Sequence, residues 1–177
     1  HMAGQSCDME EISKICRQFN VEIVEDASHA IGAKYKSYVV GSCRYSAATI
    51  FSFHPVKIIT AGEGGAILTN RSEIFERVQR LRTHGINKCN EYFEFHSHGE
   101  WYYEQIELGY NYRMSDIHAS LVRSQFKRLD TYVSARERIA KTYEERIDWE
   151  RYDKTIRKTH NISANHLFVI RTKQKVG

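Results

Sequence analysis

A single lysine lies in the least charged stretch of the sequence. Residues 48–65 read ATIFSFHPVKIITAGEGG, and Lys57 is the only formal charge between Arg44 and Glu63. Such a lysine either lays its stem along an apolar surface or loses part of its hydration. Desolvation lowers the pKa of an ammonium and leaves the free amine that a nucleophilic or Schiff-base lysine needs. The stretch therefore leaves two interpretations of Lys57, a surface side chain or a partly desolvated amine.

An acid follows a second apolar run, nearer the N-terminus. Residues 21–33 read VEIVEDASHAIGA, so Glu25 and Asp26 end a β-branched run. We expect a buried strand over 21–24 and another over 48–53, ending where α/β sheets carry ligand-binding loops. An acid from one strand end and a lysine from its neighbour suit pyridoxal 5′-phosphate (PLP). The lysine forms a Schiff base, and the acid pairs with the protonated pyridine nitrogen.

Several blocks of sequence occur in an order that resembles the DegT/StrS-type sugar aminotransferases. They are DASHAIG, FSFHPVKIITAGEGG, RTHG, ELGYNYRMSDIHASL and SQFKRLD, which span most of residues 21–145. The resemblance implies an α/β fold: part of the large domain of a fold-type-I PLP-dependent transferase, with a mostly parallel sheet and helices on both faces. SHA and FSFHPVK are most similar to the branch of the pseudaminic acid pathway, which acts on a UDP-linked 4-keto-6-deoxy sugar.

The resemblance assigns active-site roles to four residues of the first two blocks. Lys57 would hold PLP and shuttle a proton, and Asp26 would keep the pyridine nitrogen protonated. His29 would pack on the cofactor ring, and the hydroxyl of Ser52 would donate to its phosphate. Each has a plainer alternative. Asp26 could be a turn acid, His29 a structural histidine, Ser52 a small strand-end residue and Lys57 a surface lysine.

Two further residues come from the block GYNYR. The resemblance implies that Asn111 crosses the interface of a homodimer and contacts the phosphate in the neighbouring active site. Arg113 would lie at that interface or beside the phosphate, and a plain structural ion pair is its alternative.

The resemblance also implies the reaction: an amino group, usually from glutamate, would move through the cofactor to the keto-sugar.

The long polar segment over 86–106 offers three metal-ligating side chains. Cys89, His96 and His98 lie within it, but their spacing fits no closed four-ligand zinc site. We therefore expect a loop and no metal. All four cysteines, Cys7, Cys16, Cys43 and Cys89, lack paired spacing. We therefore interpret the four cysteines as reduced thiols of a cytoplasmic protein.

Composition and charge exclude several classes of protein. A hydrophobic fraction of 41% with no apolar run of membrane-spanning length is typical of a globular domain. The net charge of the chain is +4, and the basic residues are scattered among acids in helical segments such as ERVQRLR. A nucleic-acid-binding module would cluster them on one face, so we expect no nucleic-acid partner and no membrane.

The length of 177 residues is about half that of family members. The resemblance places a phosphate-gripping loop and a ring-stacking aromatic in a preceding segment with no counterpart here. We therefore expect an internal fragment: residues 1–7 as tag remnant and lead-in, 8–150 as part of the PLP-binding large domain, and 151–177 as the start of a truncated small domain. Weak or absent activity follows, and the alternative is a non-catalytic, oligomerising remnant of the family.

Overall fold

The structure is a computed structural model that describes residues 1–173. Internal contacts divide the chain into two compact units, one formed by residues 1–69 with 116–177 and the other by residues 70–115. This division differs from the predicted boundary at residue 150, which stays a prediction. The last four residues of the predicted 151–177 segment lie outside the described residues.

In the part of the first unit that the structure describes there are three α-helices, α1 (Met9–Gln18), α3 (Asp116–Phe126) and α4 (Leu129–Arg146). The pattern DMEE predicts the start of α1 correctly, but Asp8 does not cap it with its side chain. Its carboxylate instead accepts a hydrogen bond from the hydroxyl of Tyr35 at 2.6 Å. The acid at the helix start therefore ties α1 to a neighbouring strand.

Within residues 1–173, eight short strands belong to the first unit. They are β1 (Val24–Asp26), β2 (Lys34–Tyr35), β3 (Tyr38–Val39), β4 (Ala48–Ser52), β5 (Gly65–Leu68), β8 (Tyr152–Lys154), β9 (Asn161–Ile162) and β10 (Ile170–Thr172). Three of them form the sheet β1-β4-β5, three form β3-β2-β9, and β10 pairs with β8. The mixture of helices and sheets confirms the α/β class.

Strand direction within the sheet β1-β4-β5 differs from the mostly parallel expectation. β1 runs parallel to β4, whereas β4 runs antiparallel to β5. The connection over residues 53–64 contains no helix. Because a parallel return needs a long crossover, this short connection brings β5 back antiparallel. Lys57 therefore lies in a turn between antiparallel neighbours.

Residues 1–7, expected to be a tag remnant and lead-in, pack onto the first sheet. Met2–Gly4 form a 3₁₀ turn. The side chain of His1 is 2% exposed, and its Nε2 lies 2.6 Å from Oε2 of Glu25. The carboxylate of Glu25 is also hydrogen-bonded by the hydroxyls of Ser46 and Thr49. This buried network joins the N-terminal segment to β1 and β4.

The buried apolar side chains collect around the segments that follow β1 and β4. Those within β4 or after β1 and β4 are Ala27, Ala30, Ala33, Ala48, Phe51, Phe53, Ile58, Ile59 and Ala61, and others such as Met9, Tyr35 and Ala140 are buried elsewhere. Packing on both sides of the strand ends fixes the two loops that leave them. Within residues 1–173, no helix combines the length and hydropathy that crossing a membrane requires.

The second unit consists of α2 (Ser72–Leu81), a 3₁₀ turn (Asn90–Tyr92) and a two-stranded ladder of β6 (Ile86–Asn87) and β7 (Glu104–Gln105). Nε of Arg80 donates to Oε1 of Glu107 at 2.8 Å, which joins α2 to the segment after β7. The expected loop over 86–106 is thus closed by a short ladder. In the described residues, no group of three His, Cys, Asp or Glu side chains could hold a metal.

Candidate active site

The candidate site begins where β1 and β4 end. The two strands are in parallel register, with Asp26 opposite Ile50. The N–H of Ala27 donates to the carbonyl of Ile50 at 2.9 Å, which continues the pairing one residue further. Asp26 is the last residue of β1 and Ser52 the last of β4. Parallel pairing therefore brings both residues to one edge of the sheet.

Asp26 is exposed and is held in its ionised form. Its Oδ1 accepts a hydrogen bond from the N–H of Ser28 at 3.0 Å. Hydrogen bonding with Ser28 lowers the pKa of Asp26, and the positive charges of His29 and Lys57 lower it further. A carboxylate that stays charged at neutral pH can pair with a cationic ring nitrogen.

Lys57 is half-buried in the turn that follows β4. Its N–H donates to the carbonyl of His54 at 2.9 Å, and the next two residues, Ile58 and Ile59, are buried. The charge of Lys57 lowers the pKa of Asp26 and of His29. The charge of Lys57 therefore acts on both side chains at the end of β1, and its role toward a cofactor stays a prediction.

Ser52 is half-buried, and its hydroxyl oxygen accepts a hydrogen bond from the N–H of His54 at 3.3 Å. A hydroxyl that accepts through its oxygen still has its proton to donate. Ser52 can therefore supply one donor to an anionic group at the strand ends.

His29 lies between the strand-end acid and a residue from near the C-terminus. Burial and the charge of Lys57 lower the pKa of His29, against the raising effect of Asp26. Its ring lies against that of His166, with centroids 4.5 Å apart. Sequence reasoning missed His166. The signal was available, because ANHLFVI places one histidine in an otherwise apolar run.

Asn111 and Arg113 lie in the second compact unit. Asn111 forms an isolated antiparallel bridge with Thr83, and both Asn111 and Arg113 are exposed. Among the described residues, Arg113 forms no ion pair, which gives its plain structural alternative no support. Their roles toward a second subunit stay predictions.

Comparison with known proteins decides the family. The model of the DegT/DnrJ/EryC1/StrS aminotransferase family matches residues 1–177. The chain belongs to this family. The match begins at residue 1, so it includes the N-terminal segment that packs on Glu25. The expected resemblance is confirmed, and aminotransferases of the DegT/DnrJ/EryC1/StrS family are PLP-dependent.

A curated relative and two solved structures narrow the comparison. The UDP-4-amino-4,6-dideoxy-N-acetyl-beta-L-altrosamine transaminase of Campylobacter jejuni is 41% identical over 95% of this chain and 42% of its own length. PseC of Helicobacter pylori, an aminotransferase of pseudaminic acid biosynthesis, is 32% identical with a TM-score of 0.84, covering 98% of this chain and 44% of its own.

A putative sugar aminotransferase of Streptococcus pneumoniae was solved in its PLP form. It is 26% identical with a TM-score of 0.80, over 97% of this chain and 46% of its own. The chain thus spans less than half the length of the relatives that it matches. Its likeness to these DegT-family enzymes covers nearly all of its own residues.

Proposed function

We propose that this chain carries the lysine-bearing part of the active site of a PLP-dependent aminotransferase. The substrate proposed is a UDP-linked 4-keto-6-deoxy sugar, with glutamate as the amino donor. The coupling of Lys57 to the carboxylate of Asp26 at neighbouring strand ends carries the proposal. The names of the Campylobacter and Helicobacter relatives support the substrate class.

The residues present fit the cofactor. A carboxylate with a lowered pKa, a half-buried primary amine and a hydroxyl donor are the groups that a pyridine nitrogen, an aldehyde and a phosphate require. When bound, PLP supplies an electron sink for a carbanion next to the transferred nitrogen. Asp26 would hold the ring nitrogen protonated, and Nζ of Lys57 would hold the cofactor and then move a proton at the donor's α-carbon.

The remaining residues would orient the cofactor. Ser52 would donate to its phosphate, and His29 would pack on its ring. Asn111 and Arg113 would act at the phosphate or the interface of a homodimer, where Asn111 reaches the neighbouring active site. We also propose residues 8–150 as part of the large domain, 151–177 as the beginning of a small domain, and the cytoplasm as the location.

A second candidate function rests on exposed apolar side chains. Phe19, Leu108 and Ile117 are 73%, 91% and 80% exposed. Large exposed apolar side chains are a feature of association surfaces. A non-catalytic member of the family that assembles through such surfaces, with itself or with a separately encoded partner, is therefore the alternative.

Borohydride reduction separates the two functions. The chain is incubated with a low concentration of PLP, reduced and digested, and the labelled lysines are identified by peptide mass spectrometry. We expect Lys57 to be labelled in preference to the exposed lysines. Lys57→Arg should remove that label, because a guanidinium does not form the Schiff base, whereas Lys34→Arg should leave it. Both variants keep the positive charge, so a difference between them does not come from charge.

Asp26→Asn provides the matched test of the carboxylate. Loss of its charge-assisted hydrogen bond should weaken labelling of Lys57 by about tenfold or more. A label spread evenly over surface lysines, and unchanged by Asp26→Asn, would reject the catalytic proposal and leave the assembly role.

A further inference from the structure

The imidazole pair of His29 and His166 connects the two stretches of sequence that form the first compact unit, residues 1–69 and 116–177. The ring centroids are 4.5 Å apart and the ring planes are tilted by 38°. His166 is 7% exposed, whereas His29 is half-buried. A buried ring that lies against a partly exposed one restricts the rotamers open to the exposed ring.

His166 is fixed through its backbone on two sides. Nη1 of Arg136, on α4, donates to the carbonyls of Asn165 and His166 at 3.3 and 3.2 Å. The N–H of Leu167 donates to the carbonyl of Ala3 at 3.2 Å. The segment that carries His166 therefore cannot shift without breaking hydrogen bonds to α4 and to the N-terminal turn.

The same N-terminal turn contacts His29. The N–H of Ala3 points to Nδ1 of His29 at 3.4 Å. Nδ1 that accepts a backbone hydrogen bond is unprotonated, so the neutral ring carries its proton on Nε2. Ala3 favours this tautomer only while the ring of His29 is held in place, and the carbonyl of Ala3 anchors the segment of His166.

Gly4 allows the turn and the 164–167 segment to approach closely. Its φ is +102°, and a Cβ at this position would lie 2.8 Å from the backbone nitrogens of Asn165 and His166. The carbonyl of Gly4 also accepts a hydrogen bond from the N–H of Ala164 at 2.9 Å. The arrangement is therefore built around close contact at this point.

One nitrogen of His166 is left without a partner. Its Nδ1 is buried and makes no hydrogen bond among the described residues. Buried polar atoms nearly always find partners, and an apolar side chain would fill the space without that penalty. Because Nδ1 binds nothing among the described residues, His166 contacts His29 through its ring and not through a polar atom.

We propose that His166 is a positioning residue that fixes the ring plane and tautomer of His29 beside Lys57. The inference rests on the proposed function in one respect, because the role of His29 at the cofactor comes from that proposal. The charged and titratable groups that face the pair are Asp26, Lys57 and Arg136. His166 acts through the ring of His29 and does not itself contact the reacting atoms.

Two substitutions separate ring packing from a polar contact. His166→Phe keeps an aromatic ring and removes Nδ1, whereas His166→Asn keeps a nitrogen or oxygen near that position and removes the ring. Long-range ¹H–¹⁵N NMR of the histidine rings reports the tautomer and titration of His29 in this chain without any cofactor. His29→Gln assigns its signals.

The Phe variant should leave His29 as the Nε2–H tautomer with an unchanged titration midpoint. The Asn variant should give mixed tautomers and raise that midpoint towards the value of an unrestrained imidazole. Met9→Ala, which empties a buried site on α1, is the control for destabilisation and should not alter the His29 signals.

Two outcomes would overturn the proposal. An Asn variant with the tautomer and midpoint of the parent chain would show that His166 does not position His29. A Phe variant as perturbed as the Asn variant would show that Nδ1, and not the ring, matters. Neither result depends on whether Lys57 is labelled by PLP, so the two proposals fail independently.

Discussion

Individual residues at the candidate site differ in how far they are withdrawn from water. Asp26 is exposed and hydrogen-bonded by Ser28, Lys57 is half-buried, and His166 is almost fully buried. A gradient of this kind keeps the acid charged and leaves the imidazoles neutral. The charges of Asp26, His29 and His166 at neutral pH are therefore set by their depth and their neighbours.

Acid should destabilise the chain through His166. Burial, with the charges of His29, Lys57 and Arg136, lowers the pKa of His166 from 6.5 to about 4. Between these values the unfolded chain binds a proton that the folded chain does not, so stability falls as the pH falls. We expect a loss of about 2 kcal/mol across this window. Urea unfolding followed by circular dichroism measures it.

His166→Phe is the comparison for this prediction, because phenylalanine does not titrate. The difference in unfolding free energy between parent and variant should change across the window from pH 6.5 to 4 and be constant above it. A difference that is independent of pH would show that His166 does not carry the acid sensitivity.

The acid before Asp26 has a structural task. Glu25 is buried, and hydrogen bonds with His1 and Ser46 hold its pKa below the ordinary value in spite of the opposing effect of burial. Glu25→Ala would leave the hydroxyls of Ser46 and Thr49 without their acceptor. We expect a loss of about 3 kcal/mol in unfolding free energy.

The exposed Glu63 offers the control for this change. Glu63→Ala removes one negative charge as Glu25→Ala does, but from the surface of the glycine-rich turn. It should alter stability by less than about 0.5 kcal/mol. Equal losses in the two variants would mean that charge, and not the buried network, determines the effect of Glu25.

At the scale of elements, the close approach of the loop after α2 to the segment after β7 depends on glycine. Gly85 has φ +71°, and a Cβ here would lie 1.8 Å from the carbonyl oxygen of Glu107. Gly85→Ala should therefore destabilise the second unit by about 2–3 kcal/mol. Hydrogen exchange of the α2 amides measures this local stability.

Gly62→Ala separates backbone strain from the steric clash. Gly62 has φ +82°, but the nearest atom to an added Cβ is Nε2 of His118 at 3.8 Å. Its substitution should cost about 1 kcal/mol from the left-handed backbone alone. If the two alanine variants lose the same stability, the contact between Gly85 and Glu107 is not tight in solution.

The elements that could be predicted from the sequence are those with local signals. Asp8 marks the start of α1, and the run ATIFS forms β4 as expected. The strand predicted over 21–24 lies instead at Val24–Asp26, with Glu25 buried and Val24 exposed. The apolar run alone does not set the register, which comes from the pairing of β1 with β4.

The residues of the candidate site likewise divide into those with a local sequence signal and those whose contacts depend on distant parts of the chain. Lys57 and Asp26 stand out locally, one as a charge in an apolar run and the other as an acid at a strand end. The contact of His29 with His166 could not be predicted, because it depends on Arg136 and on the N-terminal turn, which are distant in sequence. The burial of Glu25 beside the exposed Asp26 likewise depends on strand register.

At the scale of the whole molecule, the chain spans only part of the length of its relatives, and this should affect its affinity for PLP. The chain matches 42% of the Campylobacter transaminase and 44% of PseC. Its first unit offers Ser52 as one donor to the phosphate, and Asn111 is proposed to act across an interface. The relatives are more than twice as long, so their sites can draw further phosphate donors from residues that have no counterpart in this chain.

The chain by itself should therefore bind PLP weakly. Each missing charge-assisted contact to the phosphate is worth about 1.5–3 kcal/mol, so the loss of two gives a dissociation constant at least about 100-fold above that of a family member of full length. Absorbance titration with PLP measures both proteins under the same conditions. The weak binding that remains should still be reduced by Lys57→Arg and unaffected by Lys34→Arg, since only the first removes the amine from the strand-end site. Affinity equal to that of the longer relative would mean that the described residues hold the phosphate without further donors from outside this chain, and the prediction of weak binding would then be wrong.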